Sequence, residues 1–112
     1  MIAQIRPSEF DAWRQAQGGR ALLLDVREPW EVQAASVAPQ QDFDLVVIPM
    51  NQIPARLAEL PQDRPIACLC HHGARSQRVA LFLAQQGYAD VANIAGGIDA
   101  WSHERDPRVP TY

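Results

Sequence analysis

The sequence predicts an α/β fold in which a mostly parallel central sheet lies between layers of helices. Three short apolar runs, at residues 21–26, 45–48 and 66–70, lack polar alternation, which is typical of strands buried on both faces. Segments with helical spacing or with helix-start and helix-stop residues separate these runs. Alternation of strands with helices favours a parallel sheet, and ligands of such sheets bind at the carboxyl ends of the strands.

The first half of the chain is expected to contain three strands and two helices. Ser8 is interpreted as the N-cap of the first helix, Gly18 as its end, and Pro29 as the first turn of the second. In chain order these elements are an edge strand at 2–5, a helix at 8–17, a strand at 21–26, a helix at 29–35 and a strand at 45–48.

The second half is expected to contain three helices and two strands. Ile53, Leu57 and Leu60 recur at helical spacing before Pro61, which predicts a helix, and Ser76 is interpreted as a helix cap. In chain order these elements are a helix at 53–60, a strand at 66–70, a helix at 76–86, a strand at 91–94 and a short helix through Trp101.

Length and composition favour a soluble globular protein with a single domain over residues 1–112. The net charge is −3 and no run of basic residues occurs, so neither a nucleic acid nor an anionic membrane is expected as a partner. The N-terminus lacks a signal-peptide pattern, and the two cysteines are one residue apart. We therefore expect a cytoplasmic protein with reduced thiols.

A candidate nucleophile, Cys70, lies at the end of a predicted strand and directly before a helix. Gly73 allows the connecting loop to curl, Arg75 adds a positive charge, and the helix N-terminus adds its dipole. Together these features favour a thiolate at Cys70, which is the nucleophilic form of cysteine, within a site for an anion. Cys68 lacks such surroundings and is interpreted as a core residue.

A metal site is the alternative interpretation, because two cysteines and two histidines lie close together in the sequence. Zinc sites use other spacings and a second ligand pair, and the only other histidine is His103. We therefore predict no metal ion, and we place His71 and His72 at the rim of the pocket.

Four motifs in the expected order resemble the rhodanese family. They are Asp-Val-Arg-Glu at 25–28, a six-residue loop at 70–75 followed by Ser76, Gly-Tyr at 87–88 with Val91, and Gly-Gly-Ile-Asp-Ala-Trp at 96–101. The resemblance spans nearly the whole chain and implies the rhodanese-like three-layer fold. The segment at 34–44 departs from the family pattern, so the pocket wall on that side is expected to be altered.

The resemblance implies a sulfurtransferase that needs no cofactor. Cys70 would take sulfur from a donor such as thiosulfate as a persulfide and pass it to a thiol, cyanide or a protein acceptor. Asp25 and Arg27 would support the site, chiefly as a structural ion pair. The residues expected to bind substrate are His71, His72, Gly73, Ala74, Arg75 and Ser76.

Two other functions fit parts of the pattern. The first is a sulfur-relay or interaction module with little turnover, which would also use Cys70. The second is a cysteine phosphatase or arsenate reductase, whose loop between cysteine and arginine is one residue longer. A phosphatase also needs a general acid, for which Asp42 and Asp44 are the unplaced candidates. Trp30 and Trp101 are both interpreted as packing residues.

Overall fold

A computed structural model describes residues 2–112 and shows a five-stranded parallel sheet. The strands lie in the spatial order β1-β5-β4-β2-β3, so that β1 and β3 form the edges. They are β1 (Ala3–Ile5), β2 (Leu22–Asp25), β3 (Asp44–Val47), β4 (Ile66–Leu69) and β5 (Val91–Ile94). The predicted α/β class with a parallel sheet is confirmed, as are all five strands to within two residues at either end.

Four helices cover both faces of this sheet. They are α1 (Phe10–Gln17), α2 (Pro29–Ala34), α3 (Ala74–Gln85) and α4 (Gly97–Glu104). Every residue of β2, β4 and β5 is buried, and alternate residues enter two separate hydrophobic clusters. One cluster contains Val79 and Leu83 of α3, and the other contains Phe10 of α1 and Trp101 of α4. The three-layer arrangement therefore follows from strands that are apolar on both sides.

The carboxyl edge of the sheet gathers the residues of interest. The central strand β4 pairs with β2 in a register that places Asp25 opposite Leu69. Cys70 follows Leu69 directly, so the ends of β2 and β4 bring Cys70 and the segment after Asp25 to one edge. This is the location at which open parallel sheets bind their ligands.

The prediction of a helix at 53–60 is wrong. The structure has two 3₁₀ turns instead, at Met50–Gln52 and Leu57–Glu59, joined by hydrogen-bonded turns. Pro61 favours the extended backbone found at Leu60, which ends the segment. The apolar spacing nevertheless indicated correctly which residues are buried, because Ile53 and Leu60 are both in the core.

The helix predicted at 8–17 begins later than expected. Pro7–Glu9 form a 3₁₀ turn, and α1 starts at Phe10. Ser8 is not the cap, because its Oγ contacts a Glu104 carboxylate oxygen at 3.3 Å, while Glu9 accepts a hydrogen bond from the Arg6 N–H at 2.7 Å.

The two tryptophans differ in environment. Trp101 is fully buried among Phe10 and Phe43, as predicted for a packing residue. Trp30 is 64% exposed and touches Tyr112 with its ring edge, so its prediction as a packing residue is wrong. Its position in the first turn of α2 directs it to solvent.

No helix within residues 2–112 is both long and apolar enough to span a bilayer.

The segment at 34–44, which departs from the family pattern, contributes to the core. After α2 the chain runs without regular structure, and Ala35, Val37 and Phe43 are buried in the cluster that contains Phe10 and Trp101. The altered residues therefore anchor this segment on the α1 and α4 face of the sheet.

Candidate active site

The loop between β4 and α3 curls around the sulfur of Cys70. Cys70 is 1% exposed, and the Gly73 N–H donates to its Sγ at 3.0 Å. Gly73 has a φ of 111°, a backbone conformation that favours glycine, and this conformation turns the chain into α3. The helix begins at Ala74 and not at Ser76, so its N-terminus is closer to the sulfur than the sequence predicts.

Ser76 is not the helix cap that the sequence predicts. Its side chain points inward, with Oγ 3.2 Å from Cys70 Sγ and 2.5 Å from Asn93 Oδ1. The Asn93 amide nitrogen donates to Gly73 O at 3.1 Å and to Gln4 Oε1 at 2.9 Å, which directs Oδ1 toward Ser76. Oδ1 can only accept a hydrogen bond, so the Ser76 hydroxyl donates to it when Cys70 is a thiol. In that state the oxygen of the same hydroxyl accepts a hydrogen bond from the Cys70 S–H. With a thiolate, the same hydroxyl can turn and donate to sulfur.

Arg75 is held by Glu31 of α2. Two guanidinium nitrogens bind the two carboxylate oxygens at 2.7 Å each, a bidentate pair with fixed geometry. The Glu31 side chain is 4% exposed and that of Arg75 is 32% exposed. Hydrogen bonds from Arg75 lower the pKa of Glu31 to about 2, although burial opposes this shift. Arg75 therefore keeps its charge beside the loop, with one side committed to Glu31.

A second buried arginine extends this network. Arg27 forms an ion pair with Asp25, both side chains being almost fully buried, at 2.7 Å between Arg27 Nη2 and Asp25 Oδ2. Arg27 Nη1 also donates to the Tyr112 hydroxyl at 3.1 Å, and this hydroxyl donates to Glu31 at 2.9 Å. Asp25 and Arg27 thus form a structural pair at the carboxyl edge of the sheet. Hydrogen bonds through Tyr112 and Glu31 connect this pair to Arg75.

The N-terminus of α4 supports the loop from behind. Ile98 N–H donates to Cys70 O at 2.8 Å, and Asp99 N–H donates to His71 O at 3.2 Å. Gly97 lies so close that a Cβ there would stand 2.3 Å from His71 O and 2.5 Å from Cys70 O. Gly97, the second glycine of the Gly-Gly-Ile-Asp-Ala-Trp motif, is therefore needed for this close approach.

His71 and His72 differ in exposure. The His71 ring stacks between His72 and Tyr112, with centroids 3.9 Å and 4.0 Å away, whereas His72 is exposed. Burial, followed by the neighbouring His72, lowers the pKa of His71, so a neutral ring is favoured. Ala74, the remaining loop residue, is exposed at the first position of α3.

Cys68 lies on the same side of the sheet as Cys70, within the hydrophobic core. It is fully buried, and burial strongly raises the pKa of its thiol. Within the described part of the chain, no group of three or more His, Cys, Asp or Glu side chains could hold a metal ion.

The two candidate general acids lie away from Cys70. Asp44 is the first residue of β3, so it lies at the amino-terminal ends of the parallel strands, whereas Cys70 lies at their carboxyl ends. Its carboxylate binds Arg20 and Arg64. Asp42 precedes it and faces Arg14 of α1 at 3.6 Å.

The structure adds residues that sequence reasoning missed, namely Glu31, Asn93, Tyr112 and Gln4. Glu31 had a signal, since it is an acidic residue in the first turn of a short helix that follows Arg27. Asn93 also had one, because it is a polar residue in a strand of otherwise apolar character. Tyr112 and Gln4 come from distant ends of the chain, and nothing local marks them.

Known proteins are similar to this chain in both sequence and fold. A family model of the rhodanese-like domain matches residues 7–104. A sulfurtransferase of Allochromatium vinosum is 40% identical over 102 residues, covering 91% of each chain. Thiosulfate sulfurtransferase GlpE of Haemophilus influenzae is 36% identical over 110 residues, covering 97% of this chain and 96% of the relative.

Among solved structures, a rhodanese-related protein from Thermoplasma volcanium superposes with a TM-score of 0.78 at 29% identity. The match covers 99% of this chain and 100% of that structure. These similarities extend over almost the whole length of single-domain relatives and include the loop that surrounds Cys70. The chain belongs to the rhodanese-like domain family.

Proposed function

We propose that this protein is a sulfurtransferase that carries sulfane sulfur as a persulfide on Cys70. Sulfur transfer is the chemistry named for the relatives that match most of this chain. The observation that carries the proposal is the arrangement around Cys70 Sγ. The Gly73 N–H, the Ser76 hydroxyl and the N-terminus of α3 all lie against this sulfur, where they can stabilise negative charge that develops on it.

In the proposed first step, the Cys70 thiolate attacks the outer sulfur of thiosulfate. A new sulfur–sulfur bond forms, the original sulfur–sulfur bond breaks, and its electron pair leaves with sulfite. In the second step, a thiolate or cyanide attacks the outer sulfur of the Cys70 persulfide, and the electron pair returns to Cys70. Neither step requires a metal or an organic cofactor.

The residues around Cys70 have proposed roles in this scheme. The Gly73 N–H and the Ser76 hydroxyl stabilise negative charge on sulfur, as donors of an oxyanion hole do. Arg75, fixed by Glu31, provides the positive charge that attracts an anionic donor. His71 and His72 form one wall of the loop, and Asp25 with Arg27 holds the strand end beneath it.

The same observations disfavour phosphate or arsenate chemistry. The loop between Cys70 and Arg75 is one residue shorter than that of the cysteine phosphatases. Asp42 and Asp44 are engaged with arginines away from Cys70, so neither is placed to protonate a leaving group. A relay module with little turnover would use the same Cys70 chemistry and differs only in rate.

The proposal is tested by intact-mass analysis after incubation with thiosulfate. We expect a gain of one sulfur atom that a reductant reverses, and we expect Cys70→Ser to abolish it. Cys68→Ala is the matched control, because it removes the neighbouring thiol without burying a new polar group, and it should retain the gain.

Turnover assays distinguish the alternatives. Thiosulfate with cyanide or a small thiol should give Cys70-dependent transfer, whereas an aryl phosphate should not be hydrolysed. Sulfur uptake by Cys70→Ser, or phosphate release without sulfur transfer, would contradict the proposal. Persulfide formation with negligible turnover would instead indicate a relay module.

A further inference from the structure

A cleft opens beside the active-site loop, between α3 and the 3₁₀ turn Met50–Gln52. It has a cavity volume of about 90 Å³ and opens to solvent. All but one of its lining residues are apolar, and they are Met50, Ile53, Pro54, Val79 and Phe82, with Arg78 as the exception. An apolar cleft at the surface with a single charged residue is typical of a binding surface.

Arg78 carries the only charge of this cleft. It is exposed, and within residues 2–112 it is the one arginine that makes neither an ion pair nor a side-chain hydrogen bond. The other arginines all face a carboxylate of this chain. Arg78 is therefore available to pair with a carboxylate that another molecule supplies.

The cleft lies on the same side of the molecule as the active-site loop. Arg78 follows Arg75 by one turn of α3, a rise of about 4.5 Å. On the other wall, the Met50 N–H donates to Val26 O at 2.9 Å, and Val26 follows β2 at the carboxyl edge of the sheet. Val79 and Ile53, at the base of the cleft, belong to the same hydrophobic cluster as Cys70. A molecule that covers Cys70 can reach the cleft with its neighbouring residues.

We propose that this cleft docks a protein sulfur acceptor, an inference that rests on the proposed function. The acceptor inserts an apolar side chain between Met50 and Phe82 and pairs an adjacent carboxylate with Arg78. Its cysteine thiolate attacks the outer sulfur of the Cys70 persulfide, the sulfur–sulfur bond breaks, and the electron pair returns to Cys70. Because Cys70 is 1% exposed, a cysteine within a protein chain needs a contact that holds it over the loop, whereas cyanide does not.

The dimensions of the site suggest a peptide probe. Arg78 lies about 4.5 Å along α3 from Arg75, and an extended chain advances about 3.3 Å per residue, so the two steps from a glutamate to the cysteine after the next residue cover this rise. The probe is therefore acetyl-Leu-Glu-Gly-Cys-amide. Its comparison peptides carry lysine in place of glutamate, or alanine in place of leucine.

The experiment measures kcat/KM for sulfur transfer from thiosulfate to each peptide and to cyanide. We expect the glutamate peptide to exceed the lysine peptide about three- to fivefold, the size of an exposed ion pair. Arg78→Gln should abolish this preference and Arg78→Glu should invert it, with transfer to cyanide unchanged. Arg108→Glu is the matched control, since Arg108 is an exposed arginine already paired with Asp106, and it should keep the wild-type preference.

Two further outcomes separate this inference from the proposed function. Transfer to cyanide without any preference among the peptides would overturn the docking site and leave the proposed function intact. If no acceptor receives sulfur, the proposed function fails. The docking site is then tested separately, by the amide NMR shift changes that follow addition of the peptide in which serine replaces cysteine. Shift changes concentrated at 50–54 and 78–82 would support it, whereas no changes or changes elsewhere would overturn it.

Discussion

At the scale of single residues, the environment of Cys70 depends on one hydroxyl that has two neighbours. Ser76 Oγ lies within hydrogen-bond distance of both Cys70 Sγ and Asn93 Oδ1, yet it carries a single hydrogen. Asn93 is itself oriented by the hydrogen bonds that its amide nitrogen donates to Gly73 O and Gln4. The direction of the Ser76 O–H therefore follows the protonation state of the cysteine.

Replacing Ser76 by alanine should slow persulfide formation roughly tenfold, because one donor to the anionic sulfur is lost. The rate is measured in a single turnover with thiosulfate. Ser102→Ala is the control, because Ser102 is also buried but donates to Val109 O at 2.6 Å, away from the loop. Equal rates for Ser76→Ala and the wild type would show that the hydroxyl has no part in charge stabilisation.

At the scale of secondary-structure elements, the loop after β4 depends on how closely α4 approaches it. Two N–H groups at the start of α4 donate to the carbonyls of Cys70 and His71. Gly97 permits this approach in two ways, since its φ of 62° is in the left-handed region and its missing Cβ leaves room for both carbonyls.

Gly97→Ala should therefore destabilise the fold by more than about 3 kcal/mol and abolish sulfur uptake, because both backbone strain and overlap are introduced. Gly18→Ala provides the matched control. Gly18 also has a positive φ, of 78°, but nothing lies within 4 Å of its Cβ position. It should lose only about 1 kcal/mol and retain activity. Urea denaturation gives the free energy of unfolding, and similar losses for both variants would contradict the importance of the close approach.

At the scale of the whole molecule, one buried carboxylate connects three distant parts of the chain. Glu31 of α2 accepts hydrogen bonds from Arg75 of α3 and from the hydroxyl of Tyr112, whose ring also stacks on His71. Arg27 donates to the same hydroxyl. The loop that holds Cys70 is thus tied to the second helix and to the last residue of the sequence.

This connection predicts a pH-dependent stability. The pKa of Glu31 is about 2 in the folded protein and near 4.5 in the unfolded chain, so protonation favours unfolding. The stabilisation is fully present above pH 4.5 and is lost as the pH falls toward 2. Its upper size is on the order of 3 kcal/mol. We expect wild type to exceed Glu31→Gln in free energy of unfolding at pH 7, with the gap narrowing below pH 4.5.

The measurement is urea denaturation of both proteins between pH 7 and pH 3. Glu59→Gln is the control, because Glu59 pairs with Arg56 at the exposed surface and should change stability little at any pH. A gap between wild type and Glu31→Gln that stays constant across this range would show that the charge of Glu31 does not carry the stabilisation.

The fold class, the order of the strands along the chain and the loop that contains Cys70 could all be predicted from the sequence. These features depend on local signals, namely apolar runs without alternation, glycines at turns, and the spacing from Cys70 to Arg75. The sequence did not predict the 3₁₀ turns at Met50–Gln52 and Leu57–Glu59, because apolar spacing reports which residues are buried and not how the prolines shape the backbone.

The construction of the candidate site, in contrast, depends on contacts between distant parts of the chain. Ser76 was predicted as a cap, yet it faces the sulfur because α3 begins two residues earlier, at Ala74. Glu31, Asn93 and Tyr112 reach the loop from 39, 23 and 42 residues away along the chain, counted from Cys70 in the sequence. Hydrogen bonds between such residues depend on how the strands are ordered and the helices packed, and no pattern within a short stretch of sequence encodes that arrangement.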